Sequence, residues 1–352
     1  IRSSDAVNEI ELMQEKYKFN FQYKQNVAIS IANTIGAIVL CILFIYIFND
    51  QRYYGRILGL ISPMFLMGIY FFIKIFRDGW HAHVTRYWKY ALKITIPMIP
   101  HSFAMVVLGQ IDRVMIIKYC GSSDAGLYSF GYTYAILLSV VSNAVLQAYK
   151  PWLYAKYTEK SYESIKHSNK IITLGIAIVT VIIVTVAPEA LKILGAKSFW
   201  GAKVIVMPIA VGVLFQYVYN TYSGLELYHK KTTIIAIGSV SVAILNFVLN
   251  KTFIPIFGFT AAAYTTLTSY FFLALFHKYA YVRVCRRHIY DDRFIWGVIL
   301  ATALISYLIM LYYDQIIIRY SIFTILLVTI DLLQRSRIKL IVRTLYVFYK
   351  EK

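Results

Sequence analysis

The stretch LGQIDRVMIIKYCG, residues 108–121, places Gln110, Asp112 and Arg113 inside an apolar run. Ionisable side chains at membrane depth are costly and face a bundle interior or a water-filled cavity. Neighbours on a helix point about 100° apart, so Asp112 and Arg113 do not neutralise each other. Each needs a partner on another helix, or water. Asp112 lies about 9 Å before Lys118 at 1.5 Å per residue, so it sits below one end of its span. Two readings fit Asp112: a group lining a cavity, or a member of an ion network that fixes helix positions. Further polar residues recur at helical spacing. Asn143, Gln147 and Lys150 form one stripe, and Gln216, Asn220, Ser223 and Glu226 another. Asn246 and Asn250 lie one turn apart, and His101 shares the span of Asp112. Interhelical hydrogen bonding explains any one stripe; several together favour a polar interior.

These residues suit binding rather than bond making. The sequence has no GxSxG, HExxH or GxxxxGK[ST] pattern, and we expect no cofactor. Asp291-Asp292, in VRVCRRHIYDDR, reads as part of a solvated loop of mixed charge. His81 and His83 form a pair in a basic loop without nearby Asp, Glu or Cys, which a metal site would need. Cys41, Cys120 and Cys285 contain no CxxC pair and imply no disulfide framework.

The elements that must position these groups are membrane helices. Of 352 residues, 59% are hydrophobic and 15% charged, against about 25% charged in soluble domains. Mean hydropathy is +0.61. Apolar runs of bilayer length, about 20 residues, predict an all-α polytopic bundle. Ten spans are expected: 26–48, 55–76, 91–118, 126–149, 169–188, 204–227, 232–250, 258–280, 294–312 and 315–332. Pro97 and Pro100 kink the third. Tyr53, Tyr54, Tyr87, Tyr90, Tyr154 and Tyr157 lie at span ends, as in an interfacial aromatic belt. With residues 1–25 inside, 27 of the 36 Lys and Arg fall on the inner side, as the positive-inside bias requires. The C-terminus is then also inside. The net charge of +19 is thus a topology signal, dispersed over short loops, and not a nucleic-acid footprint. The tail 333–352 suits a basic amphipathic helix on the inner surface. The polar opening, beginning at Ile1 and lacking a signal-peptide core, suggests a fragment whose earlier helices are missing.

One segment resembles a known family. Residues 96–135 carry Pro97 and Pro100, then Asp112-Arg113, Gly121, and Gly126-Leu127-Tyr128-Ser129. This order is similar to that of the bacterial oligosaccharide flippases of the multidrug/oligosaccharidyl-lipid/polysaccharide exporter superfamily. Lys150-Pro151-Trp152 follows, then the run Leu225 to Thr232 with its Tyr-x-Lys-Lys-Thr turn. Tyr54-Gly55-Arg56-Ile57-Leu58-Gly59 resembles the family's turn before its sixth helix. The likeness covers about residues 20–330 and makes the first span the family's fifth.

The resemblance implies two six-helix bundles around a central cavity, working by alternating access. On that plan residues 26–76 end the first bundle, 77–90 form a basic linker, 91–280 form the second bundle, and 281–332 add a helix pair. The implied substrate is an undecaprenyl-diphosphate-linked oligosaccharide repeat unit, moved across the bacterial inner membrane for O-antigen, capsule or exopolysaccharide synthesis. Arg113 and Lys150 would meet the diphosphate. Gln110, Asn143, Gln147, Gln216 and Asn220 would bind sugar hydroxyls, with Asp112 and Glu226 in a coupling or structural ion network. Partners would be the lipid-linked oligosaccharide, membrane lipids, a polysaccharide polymerase and a chain-length regulator. Two alternatives stand beside this: a cation-coupled multidrug exporter of the same superfamily, and a membrane-embedded glycan polymerase or glycosyltransferase. The first would favour acids in its cavity; the second, a long outer loop or an acidic cluster at the membrane surface.

Overall fold

A computed structural model describes residues 3–79, 85–325 and 328. His81, His83 and the tail 333–352 lie outside the described residues. Among those described, all regular structure is helical, and nine helical segments are long and apolar enough to cross a membrane. The all-α polytopic class is as expected. Of the tenth expected span, a shorter helix, Ile316–Ile325, is described.

The chain divides into two compact units, residues 1–92 and 93–352. In the first, α1 (Ser3–Phe19), α2 (Tyr23–Ile47) and α3 (Arg52–Gly79) pack together. The opening segment, expected only as polar, is therefore largely helix. Ile10 and Met13 bury one side of it against Ile29 of α2 and Phe71 of α3. The run Gly55 to Gly59, expected as a turn, lies inside α3. Its glycines let two backbones touch: a Cβ at Gly59 would lie 2.4 Å from the Cys41 backbone, and one at Gly55 2.6 Å from the Phe44 carbonyl. Small residues four apart serve such approaches between membrane helices. We expect Gly59→Ala to cost on the order of 2 kcal/mol through overpacking. Gly175→Ala, where a Cβ meets nothing within 4 Å, should leave stability unchanged or slightly raised. Thermal unfolding in detergent measures both.

After α4 (Thr85–Thr95), a turn at Ile96–Pro97 leads into α5 (Met98–Cys120). Pro97 caps α5 and Pro100 sits in its first turn, where a missing N–H costs least. The expected kink is thus a break between two helices. Gly121, at φ 95°, reverses the chain into α6 (Ser122–Ala135). A single residue, Ile136, then separates α6 from α7 (Leu137–Thr158). The expected fourth span, 126–149, is therefore two helices, and Pro151 lies within α7 rather than in a loop. Helix α8 (Tyr162–Leu194) also overruns its expected end, so Glu189 is helical rather than in an outer loop.

Helix α9 (Lys203–Tyr228) is the centre of the second unit. It is buried on nearly every side from Ile205 to Glu226, as a helix apolar all round must be. Helices α6, α7, α8, α11 (Phe259–Cys285) and α12 (Asp292–Leu311) pack on it, while α10 (Thr232–Phe257) packs on α5 and α11. The short break expected between the last two spans is a turn at Tyr312–Asp314. Beyond it the Ile316–Ile325 helix, α13, buries Arg319, which pairs with the half-buried Glu189 of α8.

Candidate functional site

The reversal at Gly121 sets α6 antiparallel to α5, and consecutive residues of one meet consecutive residues of the other. The Tyr128 hydroxyl donates to the Asp112 carboxylate at 2.6 Å. Arg113 Nε donates to Ser129 Oγ at 3.1 Å. Asp112 and Arg113 therefore face different ways and serve different surroundings.

Asp112 is buried at 2% exposure. Besides Tyr128, Asn250 Nδ2 of α10 donates to Oδ1 at 2.6 Å, and Thr266 Oγ1 of α11 to Oδ2 at 2.7 Å. Asn250 also donates to Asn246 Oδ1 at 3.0 Å and accepts from the Thr265 hydroxyl. The carboxylate thus ties α5, α6, α10 and α11 together through neutral donors. These contacts are hydrogen bonds from neutral groups and not ion pairs.

Arg113 is half-buried and lines a cavity of about 440 Å³. Its guanidinium lies 4.6 Å over the Tyr132 ring, a cation–π contact. Nη1 donates to the Gly109 carbonyl at 3.1 Å and to Gln110 Oε1 at 2.8 Å. With Nε on Ser129, three of the five N–H groups of a guanidinium hold it in place. The two on Nη2 have no protein partner among the described residues, and no carboxylate there forms an ion pair with Arg113.

Four of the expected substrate-binding residues, Gln110, Arg113, Asn143 and Gln216, line this one cavity. Thr133, Ser139 and Tyr270 line it too. Its polar groups are amides, hydroxyls and one cation. Gln147, exposed on α7, and Lys150, half-buried, lie one and two turns beyond Asn143 and are not among its lining residues. Asn220, one turn beyond Gln216, is half-buried outside it. Glu226 is fully buried elsewhere, with His277 Nδ1 at 2.9 Å. Sequence reasoning passed over Ser129, Tyr132 and Tyr270 as contributors. The Gly-x-Tyr-Ser run is the sequence signal for the first, since Ser129 follows Tyr128 there.

The Asp291-Asp292 pair departs from the solvated loop that the sequence suggests. Asp292 is buried, not solvated: it accepts from Tyr281 at 2.7 and 2.8 Å and from Tyr222 at 3.0 Å, with His288 Nδ1 at 2.7 Å. Arg286, at φ 53°, turns the chain back so that the start of α12 tucks beneath the tyrosines. Asp291 caps α12 through the Phe294 N–H and pairs with Lys170 at 2.6 Å. The Lys170 hydrogen bond holds its carboxyl below the ordinary carboxylate range. Asp291→Ala should cost about 1 kcal/mol at neutral pH. With the folded value depressed, that contribution is full above the unfolded value near 3.9 and fades as pH falls through the folded one. Melting curves of both proteins at neutral pH and at about pH 3 to 4 check this.

Among the described residues no group of three His, Cys, Asp or Glu could hold a metal.

Residues 19–157 match a family described as polysaccharide biosynthesis protein. An uncharacterized membrane protein of Haemophilus influenzae is 25% identical over 232 residues, 65% of this chain and 50% of its own length. The chain therefore spans half the length of that relative. A solved structure of the lipid II flippase MurJ, in an inward closed conformation, superposes with a TM-score of 0.58 at 15% identity, covering 92% of this chain and 70% of the other. The chain is therefore a multi-pass helical membrane protein by its nine bilayer-length apolar helical segments among the described residues, it shares the fold of that MurJ structure, and its residues 19–157 are similar to the polysaccharide biosynthesis protein family.

Proposed function

We propose that the chain moves an undecaprenyl-diphosphate-linked oligosaccharide repeat unit across the bacterial inner membrane by alternating access, for O-antigen, capsule or exopolysaccharide synthesis. The observation that carries this is Arg113: a cation without a carboxylate partner among the described residues, on the wall of a cavity otherwise lined by amides, hydroxyls and apolar groups. A diphosphate needs a counter-charge to enter the membrane interior, and a guanidinium supplies it with paired N–H donors. Gln110, Asn143 and Gln216 offer hydrogen bonds to sugar hydroxyls. Gln147, Asn220 and Lys150, next along the same helices, would meet the substrate as it moves. Asp112 and Glu226 serve structure or coupling.

In this reading the C-terminus is cytoplasmic, following the Lys and Arg bias. A polysaccharide polymerase and a chain-length regulator act on the delivered unit, and the chain itself makes or breaks no bond. The multidrug alternative fares worse, because a cationic drug would meet Arg113 and no acid among the cavity's lining residues.

The test is reconstitution. Proteoliposomes receive a fluorescent diphosphate-linked oligosaccharide lipid, and its loss from one leaflet is followed by quenching. We expect movement at least tenfold faster than in protein-free vesicles, and no acceleration of a neutral glycolipid of equal chain length. Equal rates with and without protein would overturn the reading.

A further inference from the structure

A second buried polar cluster lies at the end of the bundle opposite Asp112. Glu226 sits three residues into the end of α9, and His277 eight residues before the end of α11. Both side chains have 0% exposure. His277 Nδ1 lies 2.9 Å from each Glu226 oxygen. No other cation pairs with Glu226 among the described residues. His277 Nε2 is buried and has no hydrogen-bond partner there. It faces Gly238 of α10, where a Cβ would stand 3.0 Å away. The next residue, Ser239, is 2.6 Å from His101 Nδ1 on α5 and donates its hydroxyl to the Ile235 carbonyl at 2.9 Å. Since a hydroxyl has one hydrogen to give, Ser239 accepts from His101. Two imidazoles thus flank a single turn of α10. Among the described residues, Tyr219 of α9, its ring 4.9 Å from His277, and Cys285 of α11 are titratable groups near the pair. Gly238 and Ser239, which α10 presents, do not titrate.

We propose that Glu226 and His277 together form a proton-binding site. With one proton shared between them the pair is neutral, either as carboxylate with imidazolium or as carboxylic acid with imidazole. Without it, one negative charge is left with no other cation at hydrogen-bond distance, at a depth where an isolated charge is strongly disfavoured. The bidentate contact to Nδ1 suits the ion-paired form. His101, beside Ser239, is half-buried where Glu226 and His277 are fully buried. Proton occupancy belongs to the folded chain; its use in driving transport rests on the function proposed above.

The experiment uses the full chain in lipid bilayers at about pH 7.5, where an exposed histidine is largely neutral. Ring nitrogen NMR of labelled histidine reads the charge on His277, and the infrared carboxyl band reads a protonated Glu226. We expect one of the two signals in the wild-type protein. Glu226→Gln should abolish either one, because glutamine accepts from a neutral Nδ1–H without a charge; His277→Gln assigns the NMR signal. A neutral His277 beside an ionised Glu226 would overturn the proposal, as would a wild-type signal that survives Glu226→Gln. If either variant fails to fold, the wild-type spectra still decide, since a chain whose histidines are all neutral and which shows no protonated carboxyl has no such site. Neither readout involves a lipid substrate, so this site and the proposed transport stand or fall separately.

Discussion

Arg113→Ala is expected to slow movement of a diphosphate-linked lipid by on the order of a hundredfold while leaving the protein folded. Truncating one partner of a desolvated charge pair costs about 2–5 kcal/mol, and each 1.4 kcal/mol is tenfold in rate or affinity. Stability should change little. The guanidinium is half-buried, and water can reach the exposed Gln110 once it has gone. Gly109 O keeps its place in the α5 backbone ladder, and the interhelical losses are the Ser129 hydrogen bond and the Tyr132 ring contact. Arg113→Lys separates charge from shape. Lysine keeps the charge, but it cannot hold Ser129, Gly109 and Gln110 while presenting a further pair of donors. We expect about a tenfold loss. Initial rates in proteoliposomes, normalised to reconstituted protein, measure all three. Wild-type rates in both variants would remove Arg113 from the binding site and leave the cavity without its cation.

Asp112→Ala is expected to act on the fold. It strips acceptors from Tyr128, Thr266 and Asn250, all buried. A buried donor left unsatisfied costs about 1–3 kcal/mol. The unfolded state in a membrane finds partners of its own, so we place the total at about 3 kcal/mol. Asp112→Asn should also destabilise, by roughly half as much. Its amide would face the Asn250 amide donor, and Asn250 cannot turn over without losing both Asn246 and Thr265. The exchange Asp112→Asn with Asn250→Asp restores a donor facing an acceptor. It should recover at least half of the stability lost in the single variant. Thermal unfolding in detergent reads the series. An Asp112→Ala protein as stable as wild type would show that these hydrogen bonds are not what holds α5, α6, α10 and α11 together.

Helix ends were the least legible part of the fold. Hydropathy marks where a helix enters hydrocarbon, but not where its backbone bonds stop. Helices α7 and α8 therefore carry Pro151 and Glu189, which hydropathy alone assigned to loops. The break at Ile136 has no proline or glycine to announce it. The burial of Asp292 is illegible in the sequence for a related reason. Its neighbours in sequence are charged, but its neighbours in space are Tyr222 and Tyr281, the former 70 residues away.

By itself the sequence determined the solvent, the fold class and the candidate polar stripes. Bilayer-length apolar runs, Lys and Arg asymmetry and 3.6-residue spacing are local properties, and physics reads them locally. It also determined that Asp112 and Arg113 point apart, because one helix suffices for that. Only the tertiary structure decided what each meets. Asp112 finds Asn250 and Thr266, 138 and 154 residues on. Glu226 finds His277, and Arg113 shares one cavity with Asn143 and Gln216. A helix presents its polar face at a known angle, but the partner across it depends on how whole helices pack. That packing is set by the summed surface of many apolar residues rather than by the polar ones that carry the chemistry.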